Sequence, residues 1–287
     1  MIVSLYLHSF AKFCIAAITF TALSYFDSIK CNNTSQWWKN KNIFTDFLYF
    51  LSGPLIYPFL KFIPVVIYYV LHIFLLPDNK INFFLSGGFD LFSQYSPLYQ
   101  ALVFFLLFDF LMYWSHRLFH KNLLWPIHLI HHSSENVNWT TAYRFHPLNL
   151  VMGSWLITAF LLLLGISPEN IIFVLIIENI MALFVHSNLN ITLGPLKYFI
   201  ATPVFHRWHH TFTCEGGESN YGAILACWDV VFGTYYLPAN RLPKIYGTKH
   251  DTIQENFFSQ IIYPFAIYGK KIYNILKFTI KNCFKNI

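Results

Sequence analysis

Charged residues are scarce, with Asp, Glu, Lys and Arg together making up 11% of the 287 residues. A soluble domain usually carries about a quarter, so the deficit excludes an ordinary water-soluble fold. Cysteine is equally unhelpful as a scaffold. Cys14, Cys31, Cys214, Cys227 and Cys283 are odd in number and include no CxxC, so they point to free thiols and to neither a disulfide framework nor a thiolate metal site. The chain also lacks a CxxCH haem site, an iron–sulfur cysteine pattern and a dinucleotide glycine fingerprint. No internal repeat or low-complexity linker divides it.

What is present is apolar mass and imidazole. Hydrophobic residues reach 56% and aromatics 20%, with a mean hydropathy of +0.46, the composition of an integral membrane protein. Ten of the 13 histidines fall between His116 and His210. Residues 1–240 carry eleven basic and eleven acidic side chains, whereas 241–287 carry eight and two, so the formal +6 sits in the tail. There the lysines alternate with Ile, Phe and Tyr, a pattern suited to anionic lipid headgroups and not to nucleic acid.

A membrane-crossing helix needs about 20 mainly apolar residues. Candidates run at roughly 5–26, 44–77, 98–115, 148–166 and 169–186, which predicts an all-α, polytopic protein with about four to five transmembrane helices. The first is read as an uncleaved span, because Lys12 and His8 interrupt it and no small-residue cleavage site precedes Asp27. Residues 44–77 contain Pro54, Pro58 and Pro64 and form either one kinked span or a tight re-entrant pair. Residues 148–186 suggest a helical hairpin turning at 165–170. This arrangement returns the clustered histidines to one face of the bilayer. Arg117, Lys121, Arg144, Lys197 and Arg207 share that face, so the positive-inside bias makes it cytoplasmic.

Three spacings recur: His116-x-x-x-His120, His128-x-x-His131-His132 and His206-x-x-His209-His210. On a helix, residues three and four apart share a face, so each cluster can aim two or three imidazoles at one point. His186 is a ninth candidate where the hairpin returns. Nine nitrogen donors exceed what one ion takes, and two metals sharing them is the natural reading. His146, ahead of Pro147, is a ligand, a donor to a ligand or a turn residue. Metal-bound imidazoles usually give their second N–H to a carboxylate or carbonyl. Asp109, seven residues before His116, is a candidate for that role. Glu178, eight before His186, is an intramembrane carboxylate, costly unless paired or functional. Asp229 and Arg117 are candidates for ion pairs near the site.

His116-Arg-Leu-Phe-His120, His128-Leu-Ile-His131-His132-Ser-Ser-Glu135, Arg144-Phe-His146-Pro147, His186-Ser-Asn188, His206-Arg-Trp-His209-His210 and Asn220-Tyr-Gly ahead of Trp228-Asp229 together resemble the sterol desaturase/fatty acid hydroxylase superfamily. The resemblance covers about residues 100–236. It implies a membrane enzyme with a dinuclear centre, normally two irons with zinc a candidate occupant in purified protein, that uses molecular oxygen to hydroxylate or desaturate a lipid. The eight histidines of the three clusters match the family's ligands, and His186 matches an additional one found in some members. Where some members place a further histidine four residues on, this chain has Asn190. His146 matches a position occupied by histidine in one branch, which favours a branch-specific role. Electrons would come from a separate b-type cytochrome or ferredoxin with its NAD(P)H reductase, and Arg144, Lys197 and Arg207 are candidates to attract such an acidic partner.

The chain then divides into amino-terminal membrane helices (1–97), a catalytic region (98–240) and a basic amphipathic tail (241–287). In the tail, Lys277, Lys281 and Lys285 oppose Ile272, Leu276, Ile280 and Phe284, the pattern of a helix lying in the membrane interface. A membrane metal-binding or transport protein, or a catalytically inactive family member, stands as the alternative.

Overall fold

The computed structural model describes residues 2–26, 31, 36–60, 66, 91–92, 94–164, 168–212, 215–248, 253 and 256–283. Among these the regular structure is helical, with two isolated β-bridges and no strands. The helices are α1 (Ile2–Ser24), α2 (Ile43–Leu60), α3 (Pro97–Phe119), α4 (Trp125–His132), α5 (Pro147–Leu150), α6 (Leu156–Leu163), α7 (Pro168–His186), α8 (Pro203–His209), α9 (Cys227–Val231) and α10 (Phe257–Cys283). Short 3-10 turns at Trp37–Lys39, Trp139–Tyr143 and Gly194–Tyr198 join them.

Helix α3 organises the bundle. Ser96 caps it by accepting from Tyr99 N, and Pro97 occupies the first turn, where its missing N–H costs nothing. Its 23 residues rise about 35 Å. Among the described residues it is the one helix both long and apolar enough to cross a bilayer, while Ser9–Leu23, Ile43–Leu55, Pro147–Leu161 and Ile172–His186 are shorter apolar helices. Phe104 and Phe108 of α3 pack on Leu161 of α6 and Val174 of α7. Farther along α7, Val185 packs on Phe205 of α8 together with Ala201 and Ala226.

The expected span 148–166 is not one continuous helix. A π-helical turn, Val151–Trp155, separates α5 from α6, and the backbone departs from helical geometry at Gly153 (φ −87°, ψ −106°). Most of 61–90, the second half of the expected 44–77 span, lies outside the described residues, as do 165–167 of the hairpin turn. The amino-terminal helices close over an aromatic cluster in which Phe13, Phe20 and Trp37 surround Trp139, with ring centroids 4.9–5.6 Å apart.

Helix α10 lies against α4. Gln260 Nε2 donates to Ser133 Oγ (3.3 Å), the Tyr268 hydroxyl to Leu123 O (2.7 Å) and Lys271 Nζ to Asn122 O (3.3 Å). Phe258, Ile262, Phe265, Ile272 and Leu276 are exposed on it. Of the expected lysine stripe, Lys277 is exposed, whereas the side chains of Lys281 and Lys285 lie outside the described set.

His146 serves α10 and not the histidine clusters. Its Nδ1 accepts from Leu148 N (3.1 Å), capping α5, and its Nε2 donates to Ile261 O of α10 (3.1 Å). Both ring nitrogens are therefore engaged in the frame, which agrees with the turn-residue alternative for His146. His146→Ala should cost about 1 kcal/mol as a lost cap and lower the thermal midpoint in detergent. Its metal content should match wild type, and a loss of bound metal would return His146 to the ligand set.

Candidate metal centre

The nine histidines come from four helix ends. His116 and His120 sit one turn apart at the end of α3, His128, His131 and His132 line α4, His186 is the last residue of α7, and His206, His209 and His210 close α8. Local sequence sets these ends. Thr202 Oγ1 accepts from Phe205 N and Pro203 fixes the first turn of α8, so the helix starts where its three histidines face α4 and α7.

The imidazoles separate into two groups. His116, His120, His128, His132 and His209 form one, and His131, His186, His206 and His210 the other, with the candidate ligand atoms in each group within 4.8 Å of one another. In the first, His128 Nε2 lies 3.1 Å from His116 Nε2 and 3.2 Å from His132 Nε2. In the second, His186 Nε2 lies 3.1, 3.0 and 3.2 Å from the Nε2 atoms of His131, His206 and His210. Eight of the nine are buried and His116 is partly buried.

The second ring nitrogens decide what these contacts mean. His116 Nδ1 faces Tyr221 O (2.8 Å), His128 Nδ1 faces Asn149 Oδ1 (2.8 Å), His131 Nδ1 faces Arg144 O (3.2 Å), His186 Nδ1 faces Ala182 O (2.6 Å) and His209 Nδ1 faces Ser219 O (2.7 Å). Each partner only accepts, so each Nδ1 carries the proton and a neutral ring leaves Nε2 bare. The His116–His128 and His131–His186 contacts are then lone pair against lone pair. Protonation does not relieve them, because burial, and after it the neighbouring imidazoles, hold His128 and His131 well below the ordinary imidazole value. His120, His132, His206, His209 and His210 are pushed the same way by burial first.

A cation between the bare nitrogens removes the repulsion. A metal–nitrogen bond of about 2.1 Å places adjacent donors about 3.0 Å apart in an octahedron and about 3.4 Å in a tetrahedron, which brackets the 3.0–3.2 Å seen here. His120 Nε2 and His209 Nε2, both buried, have no hydrogen-bond partner among the described residues. Neutral, desolvated imidazoles are the protonation state that metals bind. The donor set fits two metal ions.

Asp109 reaches no imidazole. Its oxygens accept from Ile224 N (3.1 Å), Leu225 N (3.1 Å) and Trp228 Nε1 (2.9 Å), so it ties the 224–228 segment to α3. Glu178 has no hydrogen bond to any of the nine imidazoles. Among the described residues Asp229 forms no ion pair. It accepts from Tyr221 N (2.8 Å), Gly222 N (2.7 Å) and Thr234 Oγ1 (2.7 Å), and so holds the carbonyl that orients His116. A side chain at Gly222 would collide with Leu225 O and Asp229 Oδ2, so only glycine permits this turn. Arg144 and Arg207 are wholly buried and cannot present charge to an electron-donating partner, a correction to their expected surface role. Arg144 pairs with Asp46, and Arg207 donates to Val137 O and to the Tyr246 hydroxyl (2.7 Å).

Asn149, Tyr221, Ser219 and Ala182, which orient the rings, were not foreseen. Three of them act through backbone carbonyls, which every residue has, so no sequence signal marks them. The Asn149 amide was in principle visible, two residues beyond the Arg144-Phe-His146-Pro147 stretch.

A sequence model of the fatty acid hydroxylase family matches residues 101–234. The chain is 30% identical over 180 residues to the ornithine lipid hydroxylase OlsE of Rhizobium tropici, an alignment covering 62% of this chain and 54% of that protein. It is 38% identical over 148 residues to alkylglycerol monooxygenase of Danio rerio, covering 51% and 32%. With the Delta(7)-sterol 5(6)-desaturase ERG3A of Gibberella zeae it shares 26% identity over 141 residues, covering 49% and 38%. The chain thus spans about half the length of the first and about a third of the other two. No solved structure matches it. The segment similar to the fatty acid hydroxylase family, residues 101–234, carries all nine clustered imidazoles.

Proposed function

We propose that this chain is a membrane-bound lipid oxygenase, a hydroxylase or desaturase working with molecular oxygen and two metal ions, normally iron. The observation that carries the reading is the pair of bare Nε2–Nε2 contacts, one in each imidazole group. His116, His120, His128, His132 and His209 hold one ion, and His131, His186, His206 and His210 the other. Bound redox metals supply the oxygen chemistry that an unactivated C–H bond demands and that no side chain performs.

The protein's own part is to hold, orient and enclose. Carbonyls at Tyr221, Arg144, Ala182 and Ser219 and the amide of Asn149 keep one nitrogen of five rings protonated and the other available. Desolvation keeps the rings neutral and keeps water from competing for the donors. Because a misplacement of about 1 Å can redirect a reaction, the same frame that holds the rings sets which carbon of a substrate is reached.

Exposed apolar stripes support the membrane assignment. Leu98, Leu102 and Leu106 on α3 and Ile172, Ile176 and Ile180 on α7 recur every four residues and face outward. The substrate class is a lipid with an apolar chain, as the names of the relatives suggest: an ornithine lipid, an alkylglycerol or a sterol. A four- to five-span topology with the imidazoles at the cytoplasmic face, and a separate b-type cytochrome or ferredoxin with its reductase as electron donor, complete the proposal. Helix α10 lies in the interface beside them.

Purified under reducing conditions and reconstituted with ferrous iron, the protein should bind two ions per chain and consume oxygen when lipid and a reducing system are added. Two metals without lipid-dependent oxygen uptake would argue for a metal-binding protein instead. Lipid extracts compared with and without the expressed chain should show a species gaining one oxygen or losing two hydrogens. His128→Ala and His131→Ala should each insert normally, lose metal and turn over at background. For topology, a cysteine in place of exposed Lys121 should react with an impermeant maleimide from the cytoplasmic side only, and labelling from the opposite side would reverse the orientation.

A further inference from the structure

Asp46 lies on α2, 55 residues before the family-matched segment begins at residue 101. It is nevertheless wired to the second imidazole group. Asp46 Oδ1 accepts from Arg144 Nε at 2.7 Å and lies 2.5 Å from Arg144 Nη2, and neither side chain has any exposure. Asp46 Oδ2 accepts from Thr140 Oγ1 at 2.6 Å. The same guanidinium donates to Asn42 O (3.3 Å) and to Ser133 Oγ (3.2 Å), the residue after His132. Its backbone carbonyl is the acceptor for His131 Nδ1, and the next residue, Phe145, stacks on the His131 ring with centroids 4.0 Å apart and planes 14° from parallel.

We infer that Asp46 is a positioning residue for the ion held by the His131 group, acting through Arg144. A buried guanidinium deprived of its carboxylate must either move or draw in water. Either response shifts the 144–145 backbone, and with it the carbonyl and the ring that aim His131 Nε2 at His186 Nε2. The first group has its own anchors in Tyr221 O, Asn149 Oδ1 and Ser219 O, none of which touches α2. The effect is therefore selective for one of the two ions, and the family-matched segment alone does not contain the whole frame of the centre.

This inference rests on the two-metal reading, and the test separates the two. Full-length protein in detergent is titrated with cobalt(II), with bound metal counted and the visible ligand-field bands recorded. Wild type binding no cobalt would defeat the metal reading itself. With wild type binding two, Asp46→Ala should retain one ion at wild-type affinity and lose at least tenfold in affinity for the other. Its spectrum should match that of His131→Ala and differ from that of His120→Ala. Asp46→Asn, which keeps the shape and one acceptor, supplies the measurement if the alanine variant does not fold, with a smaller selective loss. Gln100→Ala, another buried polar truncation, whose amide donates to Tyr95 O (3.0 Å), should leave both ions bound. Loss of both ions together, or of neither, in the Asp46 variants would overturn the inference.

Discussion

The structure turns on lone pairs that face each other across about 3 Å with no proton between them. Two neutral imidazoles, each committed through Nδ1 to a carbonyl-type oxygen, cannot hydrogen-bond through Nε2. Bringing His116 to His128, and His131 to His186, is therefore unfavourable until a cation sits between them. Everything nearby serves to hold that arrangement. Four helix ends converge, five second nitrogens are pinned, and burial prevents the protonation that would otherwise relieve the repulsion.

The few charges near the site go mainly to the frame. Asp109 clamps 224–228 to α3, Asp229 closes the turn at Tyr221, Asp46 and Arg144 form a buried pair, and Arg207 braces Val137 and Tyr246. Inside an apolar protein each of these groups is costly to desolvate unless its hydrogen bonds are made. Asp109, Asp229 and Asp46 each have them, to backbone N–H groups, hydroxyls or a guanidinium. A composition poor in charge thus reflects both exposed apolar helix faces and an interior where buried charged side chains brace segments that no continuous helix joins. Asn149, which orients His128, lies just ahead of the π-helical break at Gly153.

Legibility followed the physics of each feature. Helix periodicity and the i, i+3, i+4 spacing put the histidines on shared faces, because that relation is local. His186 lies with His131, His206 and His210, a long-range placement that the end of α7 brings about. His146 looked similar in sequence, but it immediately precedes Pro147 as the N-cap residue of α5, where capping α5 and tethering α10 use both nitrogens. Arg144 and Arg207 looked like surface charge because their partners, Asp46 and Tyr246, are 98 and 39 residues away.

The sequence by itself determined that the chain is apolar and helical and that nine imidazoles recur at spacings that could hold metal. It also determined the family resemblance, since all of these depend on residue type and short spacing. Tertiary structure alone decided how the nine divide into groups of five and four, with His128 and His132 parted from His131 on the same helix. It also decided which oxygens orient the rings. Those choices depend on how α3, α7 and α8 cross α4, and helix crossing is set by packing between residues far apart in the chain, which no local pattern encodes.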